Sequence, residues 1–203
     1  GVLAFNSAPD YETKSSYSAT ITASDGTNSS TQNITVNLTN LNDNTPSITS
    51  GATFSAAENQ TAIGTVTATD ADGDTLSYSL SGTDASSMSI NSSSGVLTFN
   101  SAPDYETKTS YTATVTASDG TNSVTQNITV SVSNVDDAPV ITSSATFSAA
   151  ENQTAIGTVT ATDVDTDNSL ITFGISGSEL SITSGGILRF INAPDYETKT
   201  TYT

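Results

Sequence analysis

The heptapeptide Ala-Pro-Asp-Tyr-Glu-Thr-Lys occurs three times, at 8–14, 102–108 and 193–199, and this repetition sets the period of the chain. The copies begin 94 and 91 residues apart, so the folding unit is a module of about 93 residues. A chain of 203 residues then holds one whole module, 47–139, between the C-terminal half of one (1–46) and the N-terminal part of another (140–203). Each heptapeptide flanks a tyrosine with two carboxylates directly after a proline. On an extended backbone, side chains i and i+2 share a side. Asp104 and Glu106 are therefore expected to point together, with Tyr105 turned towards a core. Two hard oxygen donors converging in this way make half of a calcium site. A single Asp-Tyr-Glu would read as an acidic surface turn; three copies in register with other acidic motifs point to metal chemistry.

Alternation with period two marks the strands. In 16–25, Tyr17, Ala19, Ile21 and Ala23 share one face against Ser and Thr on the other. The Asp25-Gly26-Thr27-Asn28 turn leads into a return strand carrying Ile34, Val36 and Leu38. In the whole module seven strands are expected, around 53–57, 62–69, 76–80, 88–90, 96–100, 110–118 and 124–133. Residues 1–6 correspond to 95–100, and 145–163 repeat 52–70, so the flanking parts should use the same strands. No segment shows a 3.6-residue apolar period. The fold class is all-β, as tandem seven-stranded sandwiches stacked end to end, which need little core per residue; apolar residues are only 34%.

Charge narrows the chemistry further. The net charge is −17, and Lys14, Lys108, Lys199 and Arg189 are the only cations. Nucleic acid and anionic membrane surfaces are poor partners for such a chain, whereas divalent cations are good ones. Cys, His and Trp are absent. Zinc, haem and iron–sulfur sites, His-based triads and Cys nucleophiles are thereby excluded. No apolar run is long enough to span a membrane.

Seven alternating strands place their connections at known poles. Glu58-Asn59, Asp104, Glu106 and the linker Asn134-Val135-Asp136-Asp137-Ala138-Pro139 fall at the C-terminal pole of the module. Asp70, Asp72 and Asp119 fall at the N-terminal pole. An odd strand number puts the chain ends at opposite poles, so modules stack in a row. Glu58, Asp104, Glu106, Asp136 and Asp137 are then expected to meet Asp163 and Asp165 of the following module. A pair of carboxylates about 5 Å apart costs roughly 3 kcal/mol at intermediate dielectric. Calcium, with six to eight oxygen ligands in irregular cages, suits this crowding better than octahedral magnesium.

These motifs resemble a cadherin repeat, of the kind found in tandem in large bacterial surface proteins. Glu58-Asn59 and Glu151-Asn152 are similar to the family's glutamate–asparagine calcium motif. Asp10/Glu12, Asp104/Glu106 and Asp195/Glu197 are similar to its D-x-E motif, and Asp70/Asp72 and Asp163/Asp165 to its D-x-D. Ala23-Ser24-Asp25 and Ala117-Ser118-Asp119 match A-x-D, and Asn42-Asp43-Asn44-Thr45-Pro46 matches the N-D-N-x-P linker. The resemblance implies a Greek-key sandwich with calcium between successive repeats, usually three ions per site. Its ligands would come from Asp10, Glu12, Asn40, Asn42, Asp43, Asp70, Asp72 and Asp119 at the first junction. At the second they would come from Glu58, Asp104, Glu106, Asn134, Asp136, Asp137, Asp163 and Asp165. Asn40 stands where an aspartate is usual, and the second linker is one residue shorter, with Asp136 for asparagine. The tryptophan-anchored strand swap of animal adhesion cadherins has no counterpart here.

The expected function is a calcium-rigidified stalk or spacer of an extracellular repeat protein, an adhesin or surface filament, whose partners are calcium and neighbouring repeats. A homophilic or carbohydrate-binding module is the rival in the binding class, and an accessory domain of a secreted hydrolase the rival among enzymes. Catalysis by the acids themselves is not expected, because the same set recurs in every module. Seven N-x-S/T sequons occur, and in so Asn-, Ser- and Thr-rich a chain chance supplies most of them. Residues 1–18 align with 186–203 without a gap, so the chain is expected to be a window on a longer repetitive polypeptide. The alternative is half-modules of neighbouring molecules completing one another in a filament.

Overall fold

The alternating segments become strands wherever a partner lies alongside. The computed structural model describes residues 1–202, and the chain divides into two compact units, Gly1–Asn134 and Val135–Thr203. Among the described residues no helix is long and apolar enough to cross a membrane.

The first unit opens with β1 (Ser16–Ser24) and β2 (Ser29–Asn37), an antiparallel hairpin in which Tyr17 faces Val36 and Ile21 faces Gln32. It continues through β3 (Ser47–Ile48), β4 (Thr53–Ala57), β5 (Ala62–Thr65), β6 (Ala68–Thr69), β7 (Ser77–Ser81), β8 (Met88–Ile90), β9 (Val96–Phe99), β10 (Ser110–Ser118) and β11 (Ser123–Ser133). One sheet has the order β4-β11-β10-β7, with β4 parallel to β11 and the other pairs antiparallel. The facing strands form β5-β9-β8 and the short pair β3-β6. This is a two-sheet Greek-key β-sandwich, the fold that the resemblance implies.

The core is the shared inner face. Leu97, Ile128, Val66, Val115 and Val130 are fully buried, with Phe99, Met88, Ala113, Val132 and Ala56 around them. Burying each large aliphatic side chain contributes about 1.5–3 kcal/mol. Tyr105 packs against this cluster, on the side expected of it, although the segment that carries it is a turn and not extended.

Three expectations need correction. The strand expected at 62–69 is broken at Val66–Thr67, where Val66 N–H leaves the ladder to bond Gly95 C=O at 2.9 Å. Gly95 permits this because its φ is +70° and a Cβ there would lie 2.1 Å from Val66 O. The first strand is preceded by β3, so the chain crosses from one sheet to the other around Gly51. Residues 1–6 form no strand although their counterpart β9 does. β9 is held between β5 and β8, and among the described residues nothing flanks 1–6 in that way.

The second unit contains β12 (Val140–Ile141), β13 (Ala155–Thr158), β14 (Ala161–Thr162), β15 (Leu180–Ile182) and β16 (Ile187–Phe190). They pair as β12-β14 and β13-β16-β15, repeating the registers of β3-β6 and β5-β9-β8. Leu188 is buried as Leu97 is. Residues 146–150 and 171–176, which match β4 and β7, are not strands. The start of a strand expected at 201–203 also does not form at 201 and 202, and Thr203 lies outside the described residues.

Candidate metal centre

The three Asp-Tyr-Glu segments are not extended. Lys14, Lys108 and Lys199 N–H each bond the C=O four residues back, of Asp10, Asp104 and Asp195, at 3.0, 2.9 and 3.0 Å. The aspartate after proline acts as the cap of a helical turn. Asp10 Oδ1 accepts from Glu12 N–H at 3.0 Å and Thr13 N–H at 3.2 Å, and Oδ2 from the Thr13 hydroxyl at 2.8 Å. Asp104 Oδ1 does the same for Thr107 N–H at 3.0 Å. The aspartate of each pair thus spends its Oδ1 on N–H groups of its own turn. Hydrogen bonds from the Thr13 hydroxyl and N–H hold the Asp10 carboxyl below the ordinary range.

At the first linker the sequence-predicted residues do converge. Asp72, after β6, receives the backbone N–H of Asp43 (3.1 Å) and Asn44 (2.8 Å) on Oδ2 and the Asn44 side-chain amide (2.8 Å) on Oδ1. The Asn40 amide donates to Asp72 C=O at 2.8 Å. The Asn122 amide bridges Asn42 Oδ1 at 3.3 Å and Asn44 C=O at 3.0 Å, while Asp119 Oδ1 accepts from Thr121 and Asn122 N–H at 2.7 and 2.6 Å. Carboxylate oxygens of Glu12, Asp43 and Asp72 lie within 4.8 Å of one another. Asn44 and Asn122 are the functional residues that sequence reasoning missed. Their signals were the second asparagine of N-D-N-x-P and the recurrence of Asp-Gly-Thr-Asn at 25–28 and 119–122.

Electrostatics follow from this packing. The Asn44 amide lowers the Asp72 carboxyl although partial desolvation opposes it. Desolvation raises Glu12, with Asp10 and the Asp72 charge adding to it. Desolvation also opposes ionisation of Asp119, but the N–H groups of Asn122 and Thr121 keep it below its ordinary range.

The remaining predicted residues are divided between the two units. In the first, Glu58 is buried and its Oε2 accepts from Tyr105 N–H at 2.7 Å, with a Glu106 carboxylate oxygen within 4.8 Å. Asn134 ends this unit. In the second unit Asp137 N–H donates to Asp165 Oδ2 at 2.6 Å, the same bond that Asp43 makes to Asp72. Asp163 Oδ1 accepts from Asp165 and Thr166 N–H. Asp136 lies one residue before Asp137 in the same linker. Glu151, Asp195 and Glu197 form a further group within 4.8 Å.

A family model described as the cadherin domain matches residues 52–133. Mouse protocadherin Fat 4 is 35% identical over 183 residues, covering 81% of this chain and 4% of that protein. Human protocadherin Fat 1 is 38% identical over 148 residues, 64% of this chain and 3% of that protein. Among solved structures, the protocadherin gammaB7 EC3-6 cis-dimer superposes with a TM-score of 0.58 at 28% identity, covering 93% of this chain and 53% of that one. This is a chain of cadherin-like tandem repeats. Mouse cadherin-23 EC22-24 agrees, with a TM-score of 0.55 and 26% identity over 95% of this chain and 69% of that one. The cadherin chain spans only about 4% of the length of the first curated relative.

The donors at the first linker of this cadherin chain are all oxygen, which suits a hard cation. The fit is tested by one atom. Asp70 Oδ2 is closed off from solvent and has no hydrogen-bond partner among the described residues. A buried carboxylate oxygen left so is costly unless an ion takes the place of the missing donor.

Proposed function

We propose that this chain is a stalk or spacer segment of an extracellular adhesion polypeptide, stiffened by calcium at its module junctions. Modules divide at 47 and 140 in this reading. The unpartnered Asp70 Oδ2 beside the Glu12–Asp43–Asp72 group is the observation that carries it. Glu12, Asp43, Asp70, Asp72 and Asp119 would hold the ion charge, with Asn40 and Asn42 completing the oxygen set. Asp10 orients Glu12 from the capped turn. By sequence equivalence the reading extends to Glu58, Asp104, Glu106, Asn134, Asp136, Asp137, Asp163 and Asp165 as ligands. Bound calcium would offset the repulsion among these acids and hold the linker against the D-x-D loop. An extracellular setting is supported by a solved relative described as protocadherin gamma B2 extracellular cadherin domains 3-6, and a bacterial surface protein by the resemblance of the motifs.

Calcium titration of the 203-residue chain by calorimetry tests this. Uptake is expected in the range of extracellular modules, roughly 10⁻⁴–10⁻³ M or tighter where ions couple. Chelation should speed amide exchange across 40–46 while β10 and β11 stay protected, because their core needs no metal. Glu12→Ala with Asp72→Ala should reproduce that pattern in the presence of calcium. No uptake, or exchange indifferent to chelator, would end the proposal. Sedimentation in the same buffers separates it from a homophilic module, which would associate as concentration rises.

A further inference from the structure

Resting on the calcium reading above, the two D-x-D loops place their third aspartate differently. After β6 the chain runs Asp70-Ala71-Asp72-Gly73-Asp74, and Gly73 has a φ of +80°. That left-handed residue costs glycine little and turns the loop back on itself. Asp70 Oδ1 then accepts from Asp72 N–H at 2.9 Å and, at 3.5 Å, from Asp74 N–H. Carboxylate oxygens of Asp70, Asp72 and Asp74 lie within 4.8 Å of one another, and Asp70 Oδ2 is the buried atom without a donor.

After β14 the corresponding loop reads Asp163-Val164-Asp165-Thr166-Asp167-Asn168-Ser169, two residues longer and without glycine. Asp163 Oδ1 still anchors the turn, taking Asp165 N–H at 2.9 Å and Thr166 N–H at 2.8 Å. Asp167, the counterpart of Asp74, goes elsewhere. It caps the short 3-10 turn Asn168–Leu170, its Oδ1 accepting from Ser169 N–H at 2.9 Å. Among the described residues no group of three carboxylates includes Asp167.

We propose that Asp74 is an additional calcium ligand of the first D-x-D loop, without a counterpart in the second, so that the two loops hold calcium unequally. Three carboxylates on alternate residues of one tight loop repel one another unless a cation lies between them. Calcium affinity rises with the number of charged ligands.

Calorimetric calcium titrations of the 203-residue chain, wild type against Asp74→Asn and Asp167→Asn, decide the matter. Asp74→Asn is expected to weaken the tightest binding event about tenfold or more, on the scale seen when a metal-site contact is lost. Asp167→Asn is expected to leave every binding event as in wild type. Asp74→Glu, which keeps the charge on a longer arm, should recover part of the loss. Far-UV circular dichroism in chelator confirms that each variant is folded. If Asp74→Asn binds as wild type does, this inference fails and the calcium reading stands. Equal weakening by Asp167→Asn would overturn the inequality. If wild type takes up no calcium, both fall together.

Discussion

Residues 52–70 and 145–163 are one identical sequence in two surroundings. What they share rests on partners that both units contain. Asn59 and Asn152 both take positive φ, 61° and 63°, and their N–H groups both bond a proline C=O at 3.0 Å. Glu58 and Glu151 both accept from a tyrosine N–H, and β5 and β13 pair with the same bulged register. What differs depends on distant chain. Thr53–Ala57 is a strand because β11 lies beside it, whereas 146–150 meets no strand among the described residues. Phe54 packs on the core, and Phe147 is 38% exposed. The Glu-Asn turn keeps its form wherever its proline and tyrosine partners are present, and the strand at 53–57 forms where β11 lies beside it.

The sharpest way to break that comparison is through the core. Leu97→Ala should destabilise the middle sandwich by about 2–5 kcal/mol, since it leaves a closed cavity. Leu188→Ala, at the equivalent position, should cost clearly less, because the face that Phe147 and Leu188 share is open on one side. Denaturant unfolding of the two variants measures both, and equal losses would contradict the comparison. Gly95→Ala and Gly186→Ala should instead match, each at about 1–3 kcal/mol of backbone strain. A Cβ would meet a carbonyl oxygen at 2.1 and 2.3 Å in the two places. Smaller still, Asn59→Ala and Asn152→Ala should each cost about 1 kcal/mol for a left-handed residue, with the glycine variants near wild type. Thermal melts with a marked inequality between the copies would show that the turn depends on more than the contacts the copies share.

The smallest effect is an acid limb. The Lys108 side-chain hydrogen bond holds the Asp84 carboxyl below its ordinary range, with Thr112 N–H assisting. A depressed folded value means that the unfolded state binds protons more readily, so this stabilisation is complete above the unfolded aspartate range. It is lost as pH falls through the lower folded value. Asp84→Asn should therefore flatten the low-pH end of the stability curve; an unaltered acid limb would remove Asp84 from the account.

Much of this was legible beforehand, for reasons that particular residues make plain. Tyr111, Ala113, Val115 and Ala117 alternate so cleanly, ahead of an Asp-Gly turn, that only one register with β11 keeps them inward. Ser47–Ile48 was not legible, because two residues carry no period and their pairing depends on β6, some twenty positions on. The break at Val66 could not be read either, since Val66 stays apolar and inward on both sides of it. In the site, the acids declared themselves by recurrence. The roles of Asn44 and Asn122 did not, because an amide reveals its function only through what it reaches. The Asp-Tyr-Glu segment turns where alternation alone implies extension, because aspartate after proline caps a helical turn there.

One recurring contact has a consequence for how such chains behave in company. Lys14, Lys108 and Lys199 each place Nζ 4.4–4.8 Å above a tyrosine ring, and the latter two also pair with Asp84 and Glu179. Three of the four positive charges of a −17 polypeptide are thus engaged within their own module. A second chain drifting alongside meets a nearly bare polyanion. Side-by-side bundling is opposed, and the opposition reaches about 8 Å at physiological ionic strength. Lengths of this chain on one surface should stand apart in fresh water and crowd together in brine.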